Sequence, residues 1–338
     1  MRAWLCERFG PPSALRLVEL PAPVPGPKQV VVSVRVASVN FLDALIIQDK
    51  YQYKPGLPFT PGSELAGIIT QVGSEVRGFG VGDKVIGLAG VGAFATEAAV
   101  DAQRLMPLPA HLSDAELELA GCFGLTYATS WHALKDRARA QAGETLLVLG
   151  AGGGVGVAAV ELGKLLKMRV IAAASSEGKL AAARAHGADE TIDYGRENLR
   201  DRIQSLTEGR GVDVIYDPVG GDLSEPAFRS MAWNGRHLVI GFAAGEIPRL
   251  PLNLALLKGA ALVGVFLGEF AKREPEHYAL NMRQLFAWLE EGSIRPHISA
   301  RYPLSRAPEA LEAMLAREVI GKIVILPQQG AWPPPSNR

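Results

Sequence analysis

The sequence predicts an α/β fold in which a doubly wound parallel sheet is joined to a partly open β-barrel. Three observations point there. The chain of 338 residues is longer than one hydrophobic core comfortably serves, so two domains are expected. Its texture changes near residue 125, from short β-rich segments broken by turns to an alternation of strands and helices. Within the alternating half, LLVLGAGGGVGVAAVELGKLL (146–166) runs from an apolar strand through a glycine cluster into a helix.

Before residue 125 the signals are β. VVVSVRVASV (30–39) and LAGIITQVG (65–73) are β-branched runs, and VGDKVIGL places a Gly-Asp turn ahead of another apolar stretch. Prolines in PAPVPGP (21–27) and PGLPFTPG (55–62) punctuate loops. The opening MRAWLCERFGPP reads as a first strand, since it lacks an apolar core of signal-peptide length. TYATSWHALKDRARA (126–140) has helical spacing, with Trp131 and Leu134 three apart on one face. TLLVLG, MRVIAAA, DETIDY, DVIYDPVG, RHLVIGF and ALVGVF (261–266) are strand candidates, with helices through VAAVELGKLLK and GKLAAARAHG between the first three. A longer helix over 276–292 leads into IRPHISARYPL. The expected domains are 1–124, β-rich; 125–267, of alternating strands and helices; 268–327, a return to the first; and 328–338, a loose Pro-rich tail.

Composition narrows the function class. Hydrophobic residues make up 48% and charged residues 21%, as in an ordinary soluble enzyme. Lys and Arg total 35 against 35 acids, and no run of like charges forms a tail, so nucleic acid is not an expected partner. No uninterrupted apolar run reaches about 18 residues, so no membrane span is expected. Cys6 and Cys122 are the only cysteines, too few for a disulfide framework, and a cytoplasmic address is expected.

Glycines at a strand-to-helix turn let the backbone approach a pyrophosphate, while the helix N-terminus supplies N–H donors and a favourable dipole. The plainer alternative is a glycine turn that only packs the helix on the strand. An NAD site usually carries Asp or Glu at the end of the second strand, about 20 residues on. Here MRVIAAA ends in Ser175 and Ser176, with Glu177 after the turn, Lys179 close behind and Tyr194 ending the next strand. A small hydroxyl, a cation and a phenol suit a 2′-phosphate, which makes NADPH the expected cofactor. Two readings stay open at this point. Lys179 contacts that phosphate, or Lys179 is a solvated first-turn residue and Glu177 takes the ribose.

Together these residues resemble the zinc-independent quinone oxidoreductases, the zeta-crystallin-like branch of the medium-chain dehydrogenase/reductase superfamily. The pieces that carry the resemblance are VNFLD (39–43), KYQYKPGLPFTPGSELAG (50–67), GDKV (82–85), GLTYATSWHAL (124–134), GAGGGVG (150–156), HGADETIDY (186–194) and VIGKIVIL (319–326). They run from Arg2 to about Pro327. The resemblance implies a GroES-like catalytic domain, a Rossmann domain and a homodimer whose Rossmann sheets pair edge to edge through ALVGVF. The other reading of that segment is a buried inner strand. It also implies cofactor contacts from Gly153, Gly154, Val155 and Gly156, from Lys179 and Tyr194 near the adenosine phosphate, where Ser175 is read from the strand end itself, and from Gly241, Phe242, Gly264 and Phe266 on the nicotinamide side. Asn40, Thr126 and Lys322 complete the expected cofactor set; Lys322 has the alternative of capping the last strand. Gly152 is a departure, since relatives more often carry alanine or serine there, and a slightly looser turn is expected.

The zinc-dependent relatives in this superfamily take their catalytic metal from a cysteine, a histidine and a second cysteine. At those places this chain has Asn40, Ser63 and Cys122, and the cysteines of the structural zinc loop are absent. No metal is expected. Cys122 reads either as a small buried hydrophobe or as a thiol open to electrophiles. Glu64, retained from the zinc pattern, is expected to hold backbone groups.

Without a Lewis acid, the expected reaction is hydride delivery from NADPH to an electron-poor acceptor, a quinone or an enone. Asn40 and Tyr51 are the candidate donors to the acceptor oxygen, with Asp43 behind them; the resemblance places Asn40 and Tyr51 beside the nicotinamide. Local loop bonding is the alternative for Asn40 and Asp43, and core packing for Tyr51. His132 reads as a packed, hydrogen-bonded residue. Two rival functions remain: an enoyl reductase acting on an enone or enoyl thioester, and a non-catalytic NADPH-binding protein.

Overall fold

Residues 1–328 are described by the structure, a computed structural model. The chain divides after Leu125 and again after His297: Met1–Leu125 and the segment from Ile298 onward form one unit, and Thr126–His297 the other. The expected tail at 328–338 lies outside the described residues except for Gln328.

The first unit is built on Gln29–Val39, the β-branched run singled out in the sequence. Its residues pair antiparallel with Glu64–Val72, with Glu97–Asp101 and, at the far end, with Lys322–Leu326. Register shifts at Val31/Val32 and Val34/Val36 bend this strand, which lets one strand serve three partners. Lys84–Leu88 and Leu105–Pro107 extend the sheet on one side, and Ile298–Pro303 runs parallel to Lys322–Leu326 on the other. Val30, Val32 and Val34 point into a core with Leu65, Phe94, Leu311 and Ile325. The sheet is therefore mainly antiparallel, as a GroES-like domain requires. A short helix, Phe41–Ile46, leaves the end of the central strand at Asn40, and this turn builds the site described below.

The second unit carries a six-stranded parallel sheet among the described residues. Its spatial order is Glu190–Asp193, Arg169–Ala174, Thr145–Leu149, Val212–Asp217, Met231–Val239, Ala261–Gly264. Counted in chain order, that is 3-2-1-4-5-6, the doubly wound Rossmann arrangement. All five residues of Thr145–Leu149 are buried, as expected of a central parallel strand covered on both faces. Ala261–Gly264 is the edge strand, so the inner-strand reading of ALVGVF does not hold.

Two sequence expectations change here. The segment 126–140 is not one α-helix: Gly124–Trp131 is α-helical and His132–Arg137 is a π-helical turn. The return to the first unit falls at Ile298 rather than residue 268. The reason is packing. Leu267–Arg273 and Pro275–Glu290 are helices whose apolar residues dock on the second unit, with Trp288 edge-on to Trp131 at 4.9 Å and Phe270 stacked on His132 at 3.8 Å. Glu161, inside the helix Gly154–Leu165, fastens the end of this segment. Its carboxylate accepts the Arg295 backbone N–H as well as the Tyr127 hydroxyl, and meets His186 Nδ1. No helix among the described residues is long and apolar enough to cross a membrane.

Candidate active site

In an open parallel sheet, ligands bind beyond the carboxyl ends of the strands. The expected cofactor residues of the second unit fall there. The glycine turn follows Thr145–Leu149, Ser175 follows Arg169–Ala174 and Tyr194 follows Glu190–Asp193. Gly241 and Phe242 follow Met231–Val239; Gly264 ends the edge strand and Phe266 follows it at the start of the next helix. Gly153 is the N-cap of the helix Gly154–Leu165. Gly153, Gly154 and Val155 are half-buried at its start, while Gly156 is buried. A Cβ on Gly156 would lie 2.3 Å from the Gly150 carbonyl oxygen, so the helix reaches the strand only because that position has no side chain. Backbone N–H groups at a helix start, reached through a turn this tight, fit a dinucleotide pyrophosphate. Thr126 is buried at the start of its helix.

At the adenosine end, Lys179 Nζ lies 3.4 Å from Ser175 Oγ. The nearby acid behaves differently. The Glu177 carboxylate is paired with the Arg184 guanidinium of the same helix, and Arg184 also donates to Thr191 Oγ1. Sequence inspection did not couple Glu177 to Arg184, though their spacing of seven on one helix was a readable signal. Asp217 was also missed. Its Oδ1 accepts the N–H groups of Val219 and Gly220 at 2.9 Å, and its Oδ2 accepts the Ser224 hydroxyl and meets His237 Nε2. These bonds fix the loop that leaves the strand Val212–Asp217. Burial alone would raise the Asp217 carboxyl; the bond to His237, its charge and the loop N–H groups hold it below the usual range.

The first unit brings together Asn40, Asp43, Glu64 and Lys322. Asn40, 5% exposed, has its Nδ2 directed at Glu64 Oε2 (3.1 Å) and at the Ser38 carbonyl (3.5 Å). Its Oδ1 accepts the Lys322 ammonium at 2.5 Å. That ammonium, 3% exposed, also lies 3.5 Å from Glu64 Oε2. Glu64 Oε1 accepts the Leu125 backbone N–H at 2.7 Å. Lys322, expected among the cofactor contacts, thus has its charge met inside the first unit. Asp43 Oδ2 accepts the Asn40 backbone N–H at 2.8 Å. Burial pushes the Asp43 carboxyl up to about 7, against the lowering effect of the Asn40 N–H, the Ser63 hydroxyl and the Lys322 charge. Tyr51 is half-buried against the first core, and burial, then the negative charge of Asp43, holds its hydroxyl above the usual tyrosine value.

This donor set does not fit zinc. Asn40 and Ser63 offer neither thiolate nor imidazole, and a lysine ammonium already faces the Asn40 oxygen. The Cys122 thiol is fully buried, hydrogen-bonds the Leu119 carbonyl, and is pushed up to about 12, chiefly by burial. Its exposed-thiol reading therefore fails. His132 stacks on Phe270 and meets Asp136 at 2.8 Å, the packed arrangement its neighbours predict.

The order of the parallel sheet, its glycine turn and the mainly antiparallel companion unit define a medium-chain dehydrogenase/reductase. Comparison with known families agrees. Residues 26–110 match the alcohol dehydrogenase GroES-like domain, and residues 154–286 match the family described as zinc-binding dehydrogenase. A protein named quinone oxidoreductase-like protein 2 homolog, from Nematostella vectensis, is 36% identical over 97% of this chain and 89% of its own. The Pseudomonas aeruginosa quinone oxidoreductase is 35% identical over 94% of this chain and 97% of its own. The structure of Escherichia coli quinone oxidoreductase complexed with NADPH superposes with a TM-score of 0.89 at 26% identity, covering 97% of this chain and all of that one. Within that superfamily, the chain belongs to the quinone oxidoreductase family.

Proposed function

We propose that this chain is an oxidoreductase that transfers hydride from NADPH to a quinone or another conjugated carbonyl acceptor without a metal. The observation that carries the reading is the Lys322 ammonium against Asn40 Oδ1. A buried protein cation stands among the residues that correspond to metal ligands in the zinc-dependent relatives. Bound NADPH supplies the hydride. The glycine turn and the start of the helix Gly154–Leu165 hold its pyrophosphate, while Ser175, Lys179 and Tyr194 take the adenosine phosphate. Gly241, Phe242, Gly264 and Phe266 line the nicotinamide end. Tyr51, kept protonated well past neutral pH, donates to the acceptor oxygen as charge develops there. Asn40 acts as a fixed dipole, held by Lys322 and Glu64, and Asp43 fixes the turn that presents it.

A second copy of the chain is the proposed partner. Among the described residues, the edge strand Ala261–Gly264 leaves one side unpaired, with Leu262 and Phe266 exposed beside it. An open apolar edge of this kind takes another strand.

The test is NADPH oxidation followed at 340 nm against a naphthoquinone, a linear enone and acryloyl-CoA, with NADH in parallel. Faster turnover of the quinone with NADPH supports the proposal. Preference for the enone or thioester moves the reaction to enoyl reduction. Tight NADPH binding with no acceptor reduced leaves a binding protein.

A further inference from the structure

Gly152 sits in the phosphate-binding turn but does not need glycine for its backbone conformation: its φ lies outside the left-handed region, unlike that of Gly150 at +60°. What excludes a side chain is space. A Cβ on Gly152 would lie 2.4 Å from Lys179 Cβ, 2.6 Å from Lys179 Cγ and 3.0 Å from Lys179 Cα. These are the near end and backbone of Lys179, which cannot swing away as a side-chain tip can. The stem of Lys179 therefore lies directly across Gly152, and its ammonium reaches Ser175 at the end of the second strand.

On the same helix, Glu177–Ala185, the Glu177 carboxylate is held back. Arg184 pairs with Glu177 and is itself fastened to Thr191 Oγ1 at 3.0 Å. Glu177 is the residue that would accept ribose hydroxyls in an NAD site and would repel a 2′-phosphate. The two contacts act in one direction: Gly152 brings the cation in, and Arg184 draws the anion off.

We infer that Gly152 and Arg184 are specificity-determining positioning residues that set the preference of this site for a 2′-phosphorylated adenosine, acting through Lys179 and Glu177 respectively. This rests on the assignment of Lys179 to the adenosine phosphate made above.

The experiment measures binding of 2′,5′-ADP and 5′-ADP to the full-length protein by calorimetry, without turnover, for wild type and three variants. Wild type binds 2′,5′-ADP the more tightly, and Lys179→Ala collapses the ratio of the two Kd values; this arm tests the underlying assignment. Gly152→Ala lowers the ratio at least fivefold, mainly through weaker 2′,5′-ADP binding. Arg184→Ala, a surface change that leaves the turn intact, lowers it at least threefold, with 5′-ADP binding retained. Should Gly152→Ala fail to fold, Arg184→Ala still decides. If wild type does not discriminate, or Lys179→Ala leaves the ratio unchanged, the phosphate assignment falls and the inference with it. If Lys179→Ala collapses the ratio while Arg184→Ala and a folded Gly152→Ala leave it at the wild-type value, the inference alone is overturned.

Discussion

Lys322 and Asn40, separated by 282 residues in the chain, share a buried hydrogen bond of 2.5 Å between ammonium and amide oxygen. The bond joins the last described strand to the turn that ends the central strand of the first unit. It also fixes which way the Asn40 amide faces, because the other end of that amide is directed at Glu64.

Replacing Lys322 with Met removes the cation and leaves Glu64 buried without its charge partner. Breaking one side of a buried pair costs about 3–5 kcal/mol. The expected result is a loss of that size in urea unfolding and a fall in kcat, with the Kd for NADPH changed less than about threefold. A large loss of NADPH affinity in a folded variant would return Lys322 to the cofactor contacts.

Asp43 makes a signed prediction for pH. Its carboxyl titrates near 7 in the folded protein, above the ordinary value near 4, so the folded state binds more protons between these limits. Its contribution to stability is complete below about pH 4 and is lost as pH rises through about 7. Over that window the wild type should lose about 4 kcal/mol relative to Asp43→Asn, and the two should run parallel above it. Urea midpoints from pH 4 to 8 check this, and a difference that does not change with pH would contradict it.

Tyr51→Phe removes the proposed donor while keeping the ring that packs on the core. Removal of one donor to a developing oxyanion lowers kcat by about 10²-fold. NADPH affinity and melting temperature should stay near the wild-type values, and a variant with wild-type kcat would exclude the hydroxyl from the reaction.

Leu262→Lys puts a charge on the exposed edge strand. Light scattering should show the mass falling from that of two chains to one chain of 36.0 kDa, with NADPH binding kept. A wild-type protein already of 36.0 kDa would end the dimer proposal.

The parts of this molecule that local patterns specify were legible in the sequence. The run at 30–39, the glycine turn and the alternating strands of the second half are each set by residues within about ten positions of one another, and the structure has them as read. That Asn40 and Ser63 are poor zinc ligands is likewise visible from residue type alone. What escaped depends on packing between distant segments. Nothing near residue 322 announces that its ammonium meets Asn40. The domain return was placed about thirty residues early, because Phe270 and Trp288 read as ordinary helical apolar residues until their partners His132 and Trp131 are known. Gly152 was legible as an oddity but not as a cause, since the atom it makes room for belongs to Lys179.

The most direct test of the central claim is quinone-dependent NADPH oxidation at 340 nm before and after exhaustive dialysis against a metal chelator. Rapid turnover with NADPH, slower turnover with NADH, and no change on dialysis are the expected results. Turnover that disappears with the chelator and returns with zinc, or no quinone reduction at all, would contradict that claim.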